Sequence, residues 1–350
     1  MMELSLENRT ILITGAAGFI GAALTEYLLK HITGIQIVGI DNLNPYYDVS
    51  LKETRLSRLK KYKNFRFIKG DIGEKELVMR VFADARPSIV VNLAAQAGVR
   101  YSVTNPDIYI ESNLVGFFHI LEACRYSYEN GQKGVEHFVY ASSSSVYGSS
   151  KKVPYSVKDP VDHPVSLYAA TKKFDELIAY TYSRNYGIPS TGLRFFTVYG
   201  PEGRPDMAYF KFTEQLVRQE AIPIFNYGDM YRDFTYIEDV VRGTAKVLQK
   251  PPQPDEDGVA YKLYNIGNHH PERLLTFVEI LETCLMEQGM ISCPGEKEFL
   301  PMQPGDVYQT YADIKELEQD FGFRPSTSLY DGLTAFTKWY RSSYKKEGAS

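Results

Sequence analysis

The sequence predicts an α/β fold: a doubly wound parallel sheet with a smaller C-terminal α/β lobe. Three observations predict it. Short apolar runs alternate with helix-like segments across the first half of the chain, joined by short links, as in parallel sheets covered on both faces. A glycine-rich turn, Gly15-Ala-Ala-Gly18-Phe-Ile-Gly21, separates the first apolar run from the first helix. Beyond about residue 190, Pro and Gly punctuate the pattern more densely, as suits a lobe that shapes a pocket.

The elements follow in order. Thr10–Gly15 holds Ile11-Leu12-Ile13, a buried strand, and 18–29 reads as the helix after it. Strands are expected at 35–40, ending at Asp41, at 65–69, at 89–93 and at 137–141. Helices are expected at 51–63, 74–84, 107–126 and 168–184, and a further strand at 193–200. The basic residues of 51–63 (Lys52, Arg55, Arg58, Lys60, Lys61 and Lys63) read as a solvated face, and the Pro-rich stretch 250–258 as a surface loop. This divides the chain into a first domain at 1–190, with segments near 230–268 returning to it, and a lobe that is mainly 191–350.

Composition narrows the function. The chain has 350 residues, 44% hydrophobic and 23% charged, with a formal net charge of -4, which supplies no basic surface for nucleic acid. Three cysteines without metal-like spacing read as reduced thiols, and the N-terminal residues carry Glu3 and Glu7 rather than an apolar leader. No run is apolar enough to span a membrane. A cytoplasmic enzyme is therefore expected. His269 and His270 lack a carboxylate cluster, so they read as loop residues and no metal is expected.

The glycine turn points to a dinucleotide. Gly15 permits the tight turn, Gly18 lets backbone approach a pyrophosphate, and Gly21 lets the helix pack on the strand. Free N–H groups at the helix start, around Phe19 and Ile20, face the phosphates. Asp41 ends the next strand, 20 residues past Gly21, where its carboxylate can bond ribose hydroxyls and repel a 2′-phosphate. NAD is therefore expected over NADP. Asn42, Asp71 with Ile72, and the fourth strand's tip (Leu93, Ala94, Ala95) also lie at carboxyl ends of strands, where such sheets bind ligands.

Tyr168-Ala-Ala-Thr-Lys172 places a phenol and an ammonium one helical turn apart, and an adjacent ammonium favours phenolate. The spacing arises readily by chance in a chain with 27 tyrosines. It gains weight from the glycine turn and from the serine-rich strand end Ser142–Ser145, where a hydroxyl can relay a proton to the phenol.

Gly15–Gly21, Ser142–Gly148 and Tyr168–Lys172 together resemble the extended short-chain dehydrogenase/reductase superfamily in its nucleotide-sugar branch, and the resemblance runs through nearly the whole chain. It implies a Rossmann domain holding NAD and a lobe holding the nucleotide diphosphate, with Asn113 as a structural asparagine beside the cofactor. It also implies Tyr168 as base, Lys172 as its electrostatic support, Ser143 as proton-relay partner, and a homodimer through helices 107–126 and 168–184. Dehydratases of the branch carry an acidic pair after the serine, and decarboxylases carry Glu where this chain has Ser145. Ser144 and Ser145 leave no acid for either reaction, so epimerisation is implied.

Thr197, Arg204, Asn44–Asp48, Ala94–Ser102, Asp162–Tyr168, Asn226–Met230 and Pro301–Asp306 are similar to the UDP-glucuronate 4-epimerase subgroup. The resemblance implies reversible C4 epimerisation of UDP-glucuronate to UDP-galacturonate. Arg232 would clamp the diphosphate, Asp306 would bond ribose or tune that arginine, and Phe210 and Lys211 would lie near the uracil. Arg100, Tyr227 and Gln303 complete the implied substrate contacts, while Ser143, Ser144, Ser145 and Thr197 would hold the uronate carboxylate. Three alternatives stay open: a decarboxylase, an epimerase for neutral hexoses, and a catalytically silent NAD-binding regulator.

Overall fold

A computed structural model describes residues 3–129, 133–303 and 305–344. Seven parallel strands form the main sheet: β1 (Thr10–Thr14), β2 (Gln36–Asp41), β3 (Phe65–Lys69), β4 (Ile89–Asn92), β5 (His137–Ser143), β6 (Ser190–Phe195) and, after three intervening strands, β10 (Tyr261–Ile266). Their order is β10-β6-β5-β4-β1-β2-β3. The order reverses between β1 and β4, so the carboxyl ends of these two strands open a crevice. Ile11, Leu12 and Ile13 are fully buried because helices cover both faces of the sheet.

The three intervening strands are β7 (Thr197–Tyr199), β8 (Ile222–Ile224) and β9 (Tyr231–Tyr236). With β11 (Pro271–Arg273), β7 and β9 form a small sheet of order β11-β9-β7, and β8 pairs with β12 (Lys297–Phe299). A separate aromatic core fills this lobe, including Tyr199, Tyr209, Phe210, Phe234, Phe277 and Phe336. The helix Ile237–Leu248 returns to pack on the helix Phe19–His31.

Three expectations need correction. The strand expected at 193–200 is broken at Phe196: β6 ends in the large sheet and β7 begins in the small one. The helix expected at 107–126 is three pieces, Pro106–Tyr109, a π-helical turn Ile110–Val115 and Gly116–Tyr126. The wide turn contains Asn113, whose side chain donates to the Gln96 carbonyl and accepts from the Gln96 N–H. Third, the basic helix Val49–Leu59 is not simply solvated, because Lys52 and Arg55 are buried. Arg55 donates to the carbonyls of Ala17, in the glycine turn, and of Glu202, in the second lobe. No helix among the described residues is long and apolar enough to cross a membrane.

Candidate active site

A cavity of about 940 Å³ runs from the glycine turn, past the tips of β4 and β5, to the second lobe. Its first end is built by Gly15, Gly18, Phe19, Ile20, Gly21, Asp41, Asn42, Asp71, Ile72, Leu93, Ala94 and Ala95. Gly15 has φ +68°, and a Cβ there would stand 2.8 Å from the Ala94 nitrogen. A Cβ on Gly21 would stand 2.1 Å from the Gly15 carbonyl oxygen. The close fit of strand, turn and helix thus requires glycine at both positions. Gly18 caps the helix without any side-chain bond, leaving its first N–H groups for an anion.

Asp41 closes this end. Its carboxylate accepts from Ala17 N–H at 3.1 Å and Leu43 N–H at 2.8 Å, one on each oxygen, so each oxygen keeps a free lone pair. Lys52 Nζ lies 3.9 Å from the same carboxylate. Asn42 donates to Asp71 at 2.7 Å, joining the tips of β2 and β3. These groups fit a dinucleotide: glycines at the turn, a helix start for the pyrophosphate and a carboxylate for ribose.

Tyr168, Lys172 and Ser143 all line this cavity. Ser166 caps the helix Leu167–Tyr186 by accepting from Ala169 N–H, which places Tyr168 in the first turn and Lys172 one turn later. The Tyr168 ring packs edge-on against Tyr109, with centroids 6.2 Å apart. Tyr109 is itself fixed by donating to Ala97 O and Gly98 O. Ser143 Oγ accepts from Ser145 N–H and donates to Ser145 Oγ, both at 3.1 Å. Ser142 points elsewhere, donating to Glu176 at 2.7 Å, so the relay narrows to Ser143. Glu176 also takes Arg194 as a bidentate partner, and both side chains are buried. Lys172 Nζ donates to Ala141 O and to Asp175.

The far end carries Arg100, Ser144, Ser145, Thr197, Arg204, Lys211, Arg232 and Asp306. Arg204 grips Asp206 through two bonds, at 3.1 and 3.0 Å, and Tyr46 donates to the same carboxylate at 3.2 Å. Burial and the charge of Asp206 push the Tyr46 phenol up to about 12, so it stays a donor. Arg232 donates to the carbonyls of Tyr231 and Tyr308, and burial lowers the proton affinity of its guanidinium despite Asp306 nearby. Arg100 bonds Asp306 at 3.0 Å and lies over the Phe225 ring at 5.0 Å.

Four expected contacts stand elsewhere. Phe210 is fully buried among Phe336, Trp339, Tyr340 and Tyr344, because consecutive helix residues face different ways and Lys211 takes the cavity side. Tyr227 is 64% exposed, turned outward by its left-handed backbone at φ 52°. Gln303 lies outside the cavity wall and contributes a backbone carbonyl to Asp306 N–H. Asn113 supports the wall through Gln96 and Thr171 instead of forming it.

Sequence reasoning missed Tyr46, Lys52, Tyr101, Tyr155, Asp206, Phe225 and Thr310, all of which line the cavity. Tyr46 lies within Asn44–Asp48 and Tyr101 within Ala94–Ser102, segments that carry the resemblance without assigning either residue a role. Phe225 carried no signal, since only the turn after β8 decides which aromatic faces inward.

Comparison with known proteins agrees with this geometry. Residues 11–267 match the model of the NAD dependent epimerase/dehydratase family. The chain is 48% identical to Protein CapI of Staphylococcus aureus over 347 residues, 96% of this chain and 99% of that one. It is 43% identical to UDP-glucuronate 4-epimerase 2 of Arabidopsis thaliana over 351 residues, 97% of this chain and 77% of that one. The crystal structure of UDP-glucuronic acid 4-epimerase from Bacillus cereus, in complex with UDP-glucuronic acid and NAD, superposes with a TM-score of 0.84 at 33% identity, covering 95% of this chain and 99% of that one. With the glycine turn, the serine strand end and the Tyr168/Lys172 pair meeting in one cavity, the chain belongs to the NAD dependent epimerase/dehydratase family.

Proposed function

We propose that the protein interconverts UDP-glucuronate and UDP-galacturonate by reversible oxidation at C4, with NAD kept bound between turnovers. Bound NAD supplies the hydride acceptor. Tyr168 takes the proton from the sugar 4-hydroxyl as the hydride leaves C4, Ser143 steadies that oxygen, and Lys172 supports the phenolate. The same groups return the proton once the 4-keto sugar has turned its other face. Arg232, with Arg100 and Asp306, holds the diphosphate and ribose, so the sugar can rotate about a fixed anchor.

One observation carries the uronate reading: Ser143, Ser144, Ser145, Thr197 and Arg204 line the same cavity as Tyr168. Oxidation at C4 of a uronate makes a β-keto acid, which loses carbon dioxide when its carboxylate bond aligns with the carbonyl π system. Hydroxyl donors oppose that alignment, and the serine run carries no acid to protonate a carbanion, while Asp206 is held by Arg204 and Tyr46. Arg204 would share its fork with the substrate carboxylate, since Asp206 already occupies two of its donors.

The reading extends to assembly and location. Val103, Leu177, Tyr180 and Tyr186 are exposed apolar side chains on or beside the helices Gly116–Tyr126 and Leu167–Tyr186, and a second copy would cover them. Cys124, Cys284 and Cys293 are free, in keeping with a reducing cytoplasm. The test is proton NMR of the purified protein with UDP-glucuronate and no added cofactor. UDP-galacturonate without pentose is expected; a UDP-pentose as main product would identify a decarboxylase instead.

A further inference from the structure

Lys172 has three N–H donors, and the protein uses two of them, on Ala141 O and on Asp175 Oδ2, each at 3.1 Å. The third remains for the cavity that Lys172 lines. Asp175 is fully buried, and its other oxygen has no partner among the described residues. A buried carboxylate left half-satisfied costs free energy that its partner cation offsets only in part. The reaction proposed above gives it no part.

We propose that Asp175 is a positioning residue, which holds the Lys172 ammonium against the end of β5 and offsets part of its charge, thereby setting the pH range in which Tyr168 acts as a base. This rests on the assignment of Tyr168 and Lys172 made above. The groups facing Asp175 are few. On its own helix they are Lys172 and Glu176, and Glu176 is committed to Arg194 of β6 and to Ser142. Tyr140 of β5 and Tyr261 of β10 lie close enough to feel its charge, and their hydroxyls bond each other at 2.7 Å. Lys172 is thus the cation that balances Asp175. Burial pushes the Asp175 carboxyl up to about 7, with Lys172 pulling the other way. The ammonium therefore acts on Tyr168 more fully where Asp175 is protonated than where it is charged.

The test is the pH profile of kcat/KM for the NAD-loaded protein on UDP-glucuronate, with retained NAD measured alongside. Asp175→Asn leaves the ammonium less balanced, so phenolate forms at lower pH. The acidic limb should move down by about one pH unit, tenfold in rate on the limb. Asp175→Glu, which keeps the charge, should restore the native limb. An acidic limb unmoved in Asp175→Asn, with only thermal stability lost, overturns the inference. If Asp175→Asn does not fold, Asp175→Ser gives the same reading, and failure of both to fold also overturns it, because the carboxylate is then a folding requirement. Tyr168→Phe separates the two levels. Full activity in that variant sinks the catalytic assignment, whereas its inactivity beside an unmoved limb sinks only the role of Asp175.

Discussion

The hydroxyl wall should decide whether the 4-keto sugar keeps its carboxylate. Neither the Ser144 nor the Thr197 side chain donates within the protein among the described residues, so both protons are free for a ligand, and both residues line the cavity. Hydrogen bonds to a charged group contribute about 1.5–3 kcal/mol each. At the lower end, because water can replace part of a lost donor, Ser144→Ala and Thr197→Ala together should remove about 3 kcal/mol of restraint. With 1.36 kcal/mol per tenfold, the double variant should lose carbon dioxide about 100-fold more often per oxidation, and each single variant about 10-fold. The assay is the ratio of UDP-galacturonate to UDP-pentose by proton NMR over the first turnovers. A double variant that still oxidises its substrate at an unchanged product ratio would refute the restraint.

Three further outcomes are expected. Asp41→Asn should weaken NAD retention by about 10- to 100-fold, from the loss of charged hydrogen bonds to ribose, read as cofactor released on denaturing the purified protein. His137, fully buried, donates from Nδ1 to Leu248 O and accepts from Thr191 at Nε2; burial holds its protonation down to about 4. A base whose folded affinity for protons is lowered stabilises the fold above its unfolded value, and that stability is lost as pH falls from 6.5 toward 4. His137→Gln should therefore remove about 3 kcal/mol of the acid-dependent loss seen in urea titrations, and an unchanged slope would contradict it. Leu177→Arg, placing a charge on an exposed apolar face, should convert the proposed dimer to monomers in sedimentation velocity, and a variant that sediments as the native protein does would exclude that face.

The first half of the chain was readable because its signals are local. Ile11-Leu12-Ile13, the glycine turn and Asp41 lie within one βαβ unit, and each is constrained by backbone geometry. Tyr168 and Lys172 share one helix, so their spacing alone fixed their common face. Residues after 190 were harder, because their direction depends on partners distant in sequence. Phe196 looks like a strand residue, yet the chain changes sheets there. Phe210 and Lys211 are neighbours, but only the packing of Phe336 and Tyr340 settles which one faces the cavity. Lys52 and Arg55 resembled surface charges because the carbonyls that draw them inward come from Asn44, Ala17 and Glu202.

Arg55 bears on how a substrate gets in. It is fully buried and fastens the glycine turn to the loop just before Arg204, with Tyr47 as a further acceptor. Swinging the two halves apart as rigid jaws would take the Glu202 carbonyl from this desolvated guanidinium while Ala17 and Tyr47 stayed with it, at a cost of about 1.5–3 kcal/mol for a hydrogen bond from a charged group. The molecule is therefore latched on the side of the cofactor's pyrophosphate. On the proposed function, the partly exposed contact of Arg100 with Asp306 is a place where the cavity wall can part cheaply for a nucleotide sugar. On the proposed function, such a tether suits a dinucleotide that is retained and a sugar nucleotide that is exchanged at each turnover.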